Sequence, residues 1–249
     1  MSVKLFEIGR VFWSSEKGRL PEERTMLGIM MTGARMEEGW NLPSGGVDYF
    51  DIKGAVEGLF EELGIQSFHF RPAADIPYLH PGTSTRIVLN GTDLGVLGRL
   101  HEDIVDALEI RVFPFVCEMD FDALLGMPSR KVQFMPISKF PGSMRDIAVL
   151  LDESVTAQRA LDSIKSVKDE IIKDVKLFDV YTGENILSGK KSLAFRILFS
   201  AEERTITDAE VDEVFGKIIS QLERDLGAVV RQQKSDQLSD ISSQHKILE

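Results

Sequence analysis

Apolar residues in this chain recur with two different periods, and the period changes wherever glycine, proline or a polar cluster intervenes. VKLFEIGRVFW and RTMLGIMMTG are apolar runs bounded by glycine and predict strands. YFDIKGAVEGLFEELG sets Ile52, Val56, Leu59, Phe60 and Leu63 at helical spacing and stops at Gly64. STRIVLNGTDLGVLGRL carries Asn90-Gly91 between two apolar runs, a hairpin signature. HEDIVDALEI then predicts a short helix, FPFVCEMDF a strand and DFDALLG one more helical turn. Strands adjacent in sequence and joined by hairpins predict an antiparallel sheet, and so an α+β fold.

Near residues 127–141, MPSRKVQFMPISKFPG breaks both periods with three prolines, two serines and a glycine. Beyond it RDIAVLLD predicts a strand, and SVTAQRALDSIKSVKD a helix with Ala157, Ala160, Leu161, Ile164 and Val167 on one face. KDVKLFDVYTG and KKSLAFRILFS are two strands joined by ENILSG. Thr207 and Glu210 have the spacing of a capping box. The helix they open would bury Val211, Val214, Phe215, Ile218, Leu222 and Leu226, and stop at Gly227. AVVRQ closes the order βαββαβ, a ferredoxin-like motif. The expected organisation is one domain over 1–126, a linker over 127–137, a ferredoxin-like domain over 138–231, and a polar tail over 232–249 expected to be disordered.

In such a motif both helices cover one face of the sheet and leave the other open. Period two assigns Ile147, Val149 and Leu151, with Leu193, Phe195, Ile197 and Phe199, to the core. In LFDVYTG it turns Phe178 and Val180 inward, and Leu177, Asp179 and Tyr181 outward. The open face thus gathers Ala148, Asp179, Tyr181, Ser192 and Arg196. A small residue admits a planar group, a tyrosine ring stacks, and Asp, Ser and Arg offer directional hydrogen bonds, which is how an unstacked base is read. The polar face of a sheet can equally face only water, and the pattern does not choose between the two. The strand KKSLAFRILF lacks the aromatic RNA-binding consensus of other such sheets.

Charge narrows the options. The net charge of −11 argues against broad non-specific binding to nucleic acid. Residues 1–137 carry 13 basic and 20 acidic side chains against 14 and 17 over 138–231, so a polyanion site would be local to the second segment. No apolar run approaches the roughly 20 residues that span a bilayer, and the N-terminus lacks a signal pattern. The lone Cys117 lies in an apolar strand and reads as a core residue, so a reducing, cytoplasmic setting is expected. The four histidines share no ligand spacing, and no metal is expected. Asp48, Asp51, Lys53 and Glu57 read as helix-start acids and an i,i+4 pair, His80-Pro81-Gly82 as a turn, and neither Ser84 nor Cys117 as a nucleophile.

The run FPGSMRDIAVLLDE, then LFDVYTGENILSGKKSLAFRILF, then ERTITDAEV, closely resembles the C-terminal anticodon-binding domain of the bacterial phenylalanyl-tRNA synthetase beta subunit. LFEIGRVF, VDYFDIKG, LHPG, LGRLH and FVCEMDFDALL resemble the end of that subunit's catalytic-like domain, and together the likeness covers 3–231. It implies an antiparallel class II synthetase-like but catalytically inactive domain followed by the ferredoxin-like one. It also implies the partners: the phenylalanine tRNA anticodon stem-loop, the alpha subunit, and a second beta subunit in a heterotetramer, with no membrane. ATP and magnesium would serve the holoenzyme on alpha, with no cofactor in this chain. Carried over by motif position, Ala148, Asp179, Tyr181 and Ser192 would meet anticodon bases, Tyr181 by stacking. Arg145, Lys190 and Lys191 would meet phosphate or shape the site, and Arg145 could equally pair with Asp146 or another acid. Family regions for editing, magnesium ligation and the long interface helix lack counterparts here, so the chain reads as a fragment that neither aminoacylates nor edits alone. The rival readings are a small-molecule-sensing or protein-docking ferredoxin-like module, and a hydrolase, for which no nucleophile and base are set together.

Overall fold

Two units divide the chain, Met1–Phe134 and Met135–Glu249. The computed structural model describes residues 2–14, 19–37, 39–41, 45–65, 68–127, 139–183 and 186–231. The expected tail, and all of the expected linker except Met127, lie outside these residues.

The first unit is one antiparallel sheet with helices on it. Its elements are β1 (Val3–Trp13), β2 (Glu22–Thr32), α1 (Tyr49–Glu62), β3 (Phe68–Pro72), β4 (Leu79–Leu89), β5 (Thr92–Leu100), α2 (Glu102–Ala107), β6 (Phe115–Asp120) and α3 (Phe121–Leu125). The strand order is β1-β2-β6-β5-β4-β3. The helical stripe of α1 buries Ile52, Val56 and Phe60 completely, against Leu97, Cys117 and Met119 of the sheet. Asn90 and Gly91 both have positive φ, as the tight hairpin between β4 and β5 requires. Burial pushes the Cys117 thiol up to about 12, consistent with a core residue.

The acids that open α1 serve the helix itself. The Asp48 side chain accepts from the Phe50 and Asp51 amides in a capping box, and Arg35 bridges Asp48 at 2.6 Å and Asp51 at 2.8 Å. Lys53 pairs with Glu57. Two elements of this unit depart from the sequence-based expectation. FHFRP, which it passed over, is strand β3, and His80-Pro81-Gly82 lies inside β4 rather than forming a turn. The pairing of β4 with β5 lapses between Leu79 and Ser84, so Pro81 sits where no ladder donor is needed.

The second unit contains β7 (Ser143–Asp152), α4 (Ala157–Ser166), β8 (Ile172–Tyr181), β9 (Lys190–Phe199), α5 (Asp208–Leu226) and β10 (Val229–Arg231), in the sheet order β10-β7-β9-β8. Every neighbouring pair is antiparallel. Ile147, Val149, Leu151, Leu193, Phe195, Ile197 and Phe199 are buried against Ala160 and Ile164 of α4 and Val211, Val214, Ile218 and Leu222 of α5. The capping box of Thr207 and Glu210 opens α5, and Gly227 closes it. Both helices therefore spend their apolar stripes on one side of the sheet, and the other side has no helix among the described residues.

Candidate nucleic-acid interface

Cross-strand pairing arranges the open side in three rows about 7 Å apart, since residues two apart along a strand share a face. The first row is Tyr181, Ser192, Leu150 and Val229, and the second is Asp179, Ala194, Ala148 and Arg231. The third pairs Lys176 with Arg196 and Arg196 with Asp146. An open depression takes in Asp146, Ala148, Phe178, Asp179, Tyr181 and Ser192 of this face and extends to Phe215, Ile219 and Glu223 of α5. Its floor is the pair Ala148 and Ala194, side by side on the two central strands, and Ala194 and Ser192 are nearly covered by their larger neighbours. The four residues of the base-reading expectation, Ala148, Asp179, Tyr181 and Ser192, thus share one surface.

One strand departs from the expected phase. A β-bulge interrupts the pairing of β8 with β9 between Leu177 and Asp179. Leu177 pairs with Phe195 and packs on the core, although period two turned it outward. Phe178, expected inside, is 50% exposed and lines the open depression beside Asp179. Val180 pairs with buried Leu193 yet is itself exposed, because the strand end runs past the core. The extra residue shifts the phase, so Asp179 and Tyr181 reach the open face together with Phe178. The adjacent apolar pair Leu177-Phe178 was the available signal: Val175 and Leu177 follow one phase, Phe178 and Val180 the other.

The basic residues are mostly committed. Arg145 stands in the core-side phase opposite Ile197, and donates to the Ser143 hydroxyl at 2.9 Å and to Asp208 and Asp212 of α5 at 3.3 Å. Its partners are those acids and not Asp146. Asp146 instead receives two hydrogen bonds from Arg196, at 2.8 and 2.7 Å, which hold its carboxyl below the usual carboxylate range. The same guanidinium lies over the Phe178 ring, 5.1 Å from its centroid. Lys190 bridges Asp152 at 3.0 Å, and the Lys191 ammonium donates to the Glu153 carbonyl at 2.8 Å. Among the described residues Asp179 has no ion-pair partner, and neither has Arg231. Arg231 escaped the sequence reading because nothing in AVVRQ reveals that it lies beside Ala148.

Tyr181 is held from the chain side. The backbone at Gly183 folds against its ring so closely that a Cβ there would stand 2.2 Å from the phenol oxygen. Tyr181 is 39% exposed and lines the depression. Among the described residues no three His, Cys, Asp or Glu side chains are placed to hold a metal ion. No helix among them is long and apolar enough to cross a membrane.

Two family descriptions match the chain in succession: "Phenylalanyl tRNA synthetase beta chain CLM domain" over residues 1–121 and "Ferredoxin-fold anticodon binding domain" over 138–231. Proteins described as "Phenylalanine--tRNA ligase beta subunit" align with most of it. That of Symbiobacterium thermophilum is 37% identical over 91% of this chain and 25% of its own length. That of Clostridium acetobutylicum is 38% identical over 92% and 27%. The chain therefore spans about a quarter of the length of the curated relatives it matches. Among solved structures, a pyrrolysyl tRNA synthetase from Desulfitobacterium hafniense covers 50% of this chain and 41% of its own at 17% identity, with a TM-score of 0.38, too low to define a fold.

Gly183→Ala is expected to push the Tyr181 ring from its seat at little cost in stability, because the added methyl meets only the far end of a part-exposed side chain. Ring resonances of Tyr181 in a nuclear magnetic resonance spectrum report the displacement. Unchanged resonances would show that the ring is not held by this contact.

Proposed function

With residues 1–121 matching a phenylalanyl tRNA synthetase beta chain CLM domain and 138–231 a ferredoxin-fold anticodon-binding domain, we propose that this chain is a non-catalytic, tRNA-binding segment of a phenylalanine–tRNA ligase beta chain. The observation that carries this reading is the open sheet face, where Tyr181 stands beside the Ala148–Ala194 floor with Asp179 and Ser192 within the same surface. An unpaired base of the phenylalanine tRNA anticodon loop stacks on Tyr181 over the small residues. Asp179, without an ion-pair partner among the described residues, accepts from N–H donors on the base edge, and the Ser192 hydroxyl donates or accepts beside it. Arg231 is the cation of this face placed to meet phosphate. Arg145, Lys190 and Lys191 support the surface through the acids and carbonyl they hold.

The first unit supplies assembly. We read it as the catalytically silent counterpart of a class II synthetase core, its helix-start acids taken up by capping and by Arg35. ATP and magnesium belong to the active sites of the alpha subunits in a cytoplasmic heterotetramer. Among the described residues its edge strand β1 pairs only with β2, and it exposes Leu5, Ile8 and Phe12, with Phe6 76% exposed. Such an apolar edge is unusual for a surface left to water and suits a subunit contact. Phe6→Asp should reduce co-purification of the co-expressed alpha subunit with this chain. Undiminished recovery would remove β1 from the interface.

Tyr181→Ala should weaken binding of a phenylalanine anticodon stem-loop to the chain by about 1–3 kcal/mol, the usual worth of one base stack. Fluorescence anisotropy reads this directly. Equal affinity for both proteins would sink the stacking role, and equal binding of unrelated loops would favour a docking module.

A further inference from the structure

The bulge brings a second planar group to the open face. Phe178, which it turns outward, lies under the Arg196 guanidinium, and Asp146 grips that guanidinium by two hydrogen bonds. The three side chains come from three adjacent strands, β8, β9 and β7, so the arrangement spans the sheet. Arg196 is half exposed and Asp146 one-third exposed. Two hydrogen bonds along its edge and the ring close by restrict the freedom of this guanidinium.

The charge state of this plane decides what it can bind. Two of its donors already serve Asp146, and the carboxylate cancels its charge. It is therefore a poor phosphate ligand and a good stacking surface, since guanidinium planes stack on bases. Arg231, with no ion pair among the described residues, is the opposite case. Along β9, Arg196 is four residues from Ser192, which pairs with Tyr181, a separation of about 13 Å. That distance is several times the roughly 3.4 Å step between stacked bases, so the two side chains would meet different bases. The alanines Ala148 and Ala194 lie in the row between, leaving the floor low.

We propose that Arg196, fixed by Asp146 and backed by Phe178, is a second stacking shelf, which takes the unpaired base next to the one on Tyr181. This inference rests on the anticodon-loop reading above and assigns a second subsite within it. It makes Arg196 a binding residue, and Asp146 and Phe178 positioning residues.

The test uses the whole 249-residue chain and a fluorescent phenylalanine anticodon stem-loop, with a companion series carrying one abasic nucleotide at each loop position. Arg196→Lys keeps the charge and loses the plane. It should weaken binding about fivefold or more, the lower end of one base stack. The slope of log Kd against log salt should be unchanged, while Arg231→Ala should lower it by about one. The loss from Arg196→Lys should vanish against one abasic loop, adjacent to the abasic position that cancels Tyr181→Ala. If Tyr181→Ala weakens binding but Arg196→Lys binds like the parent chain, the shelf is wrong and the anticodon reading stands. If neither change matters, the reading of the whole face fails. If Arg196→Ala lowers the salt slope by one while Arg196→Lys restores affinity, the contact is to phosphate and the shelf is overturned. Thermal melting controls for folding; should Arg196→Lys unfold, Phe178→Leu must show the same loss and the same abasic partner.

Discussion

The open face depends on the register of β8 against β9. An antiparallel pair presents opposite residues on one face, so a single extra residue in one strand exchanges the faces beyond it. Here the exchange falls between Leu177 and Asp179. Before it, Val175 and Leu177 close the core over Ile197 and Phe195. After it, Asp179 and Tyr181 stand opposite Ala194 and Ser192 on the uncovered side. Without the bulge, continuing the phase of Val175 and Leu177 would send Asp179 and Tyr181 toward the helices. Apolar packing upstream and the polar surface downstream are reconciled by one unpaired position.

The helices make that surface available by what they leave uncovered. α4 and α5 bury their stripes on the same side, and the short β10 completes the sheet without shielding its far face. The cations near it are distributed by task. Arg145 ties β7 to the start of α5, Lys190 and Lys191 tie the start of β9 to the end of β7 and the turn beyond, and Arg196 is matched by Asp146. In a chain of net charge −11, recognition cannot lean on a broad positive field. Shape, stacking and a few directed hydrogen bonds are then the available means, and Tyr181, Asp179 and Ser192 supply them.

Much of the fold was legible from periodicity. The two core-facing strands β7 and β9, the stripes of α4 and α5, the capping box at Thr207 and the Asn90-Gly91 hairpin all follow local rules that the structure obeys. The edge strand β8 did not, because period two assumes an unbroken ladder, and a bulge is set by the partner strand as much as by its own residues. Phe178 was lost for that reason, and with it the stack under Arg196. Ion-pair partners were also hidden. Arg145 is next to Asp146 in sequence, but alternation puts them on opposite faces, and its acids come from α5, 63 and 67 residues away. Ala148, Asp179, Tyr181 and Ser192 could be placed together because their strands' phases beyond the bulge agree with the simple count.

The most direct measurement is amide chemical-shift mapping of the labelled chain as phenylalanine anticodon stem-loop RNA is added. The account predicts shifts concentrated at Ala148, Phe178, Asp179, Tyr181, Ser192 and Ala194, with the solvent sides of α4 and α5 unaffected. Shifts centred on those helices, or confined to the first unit, would contradict it.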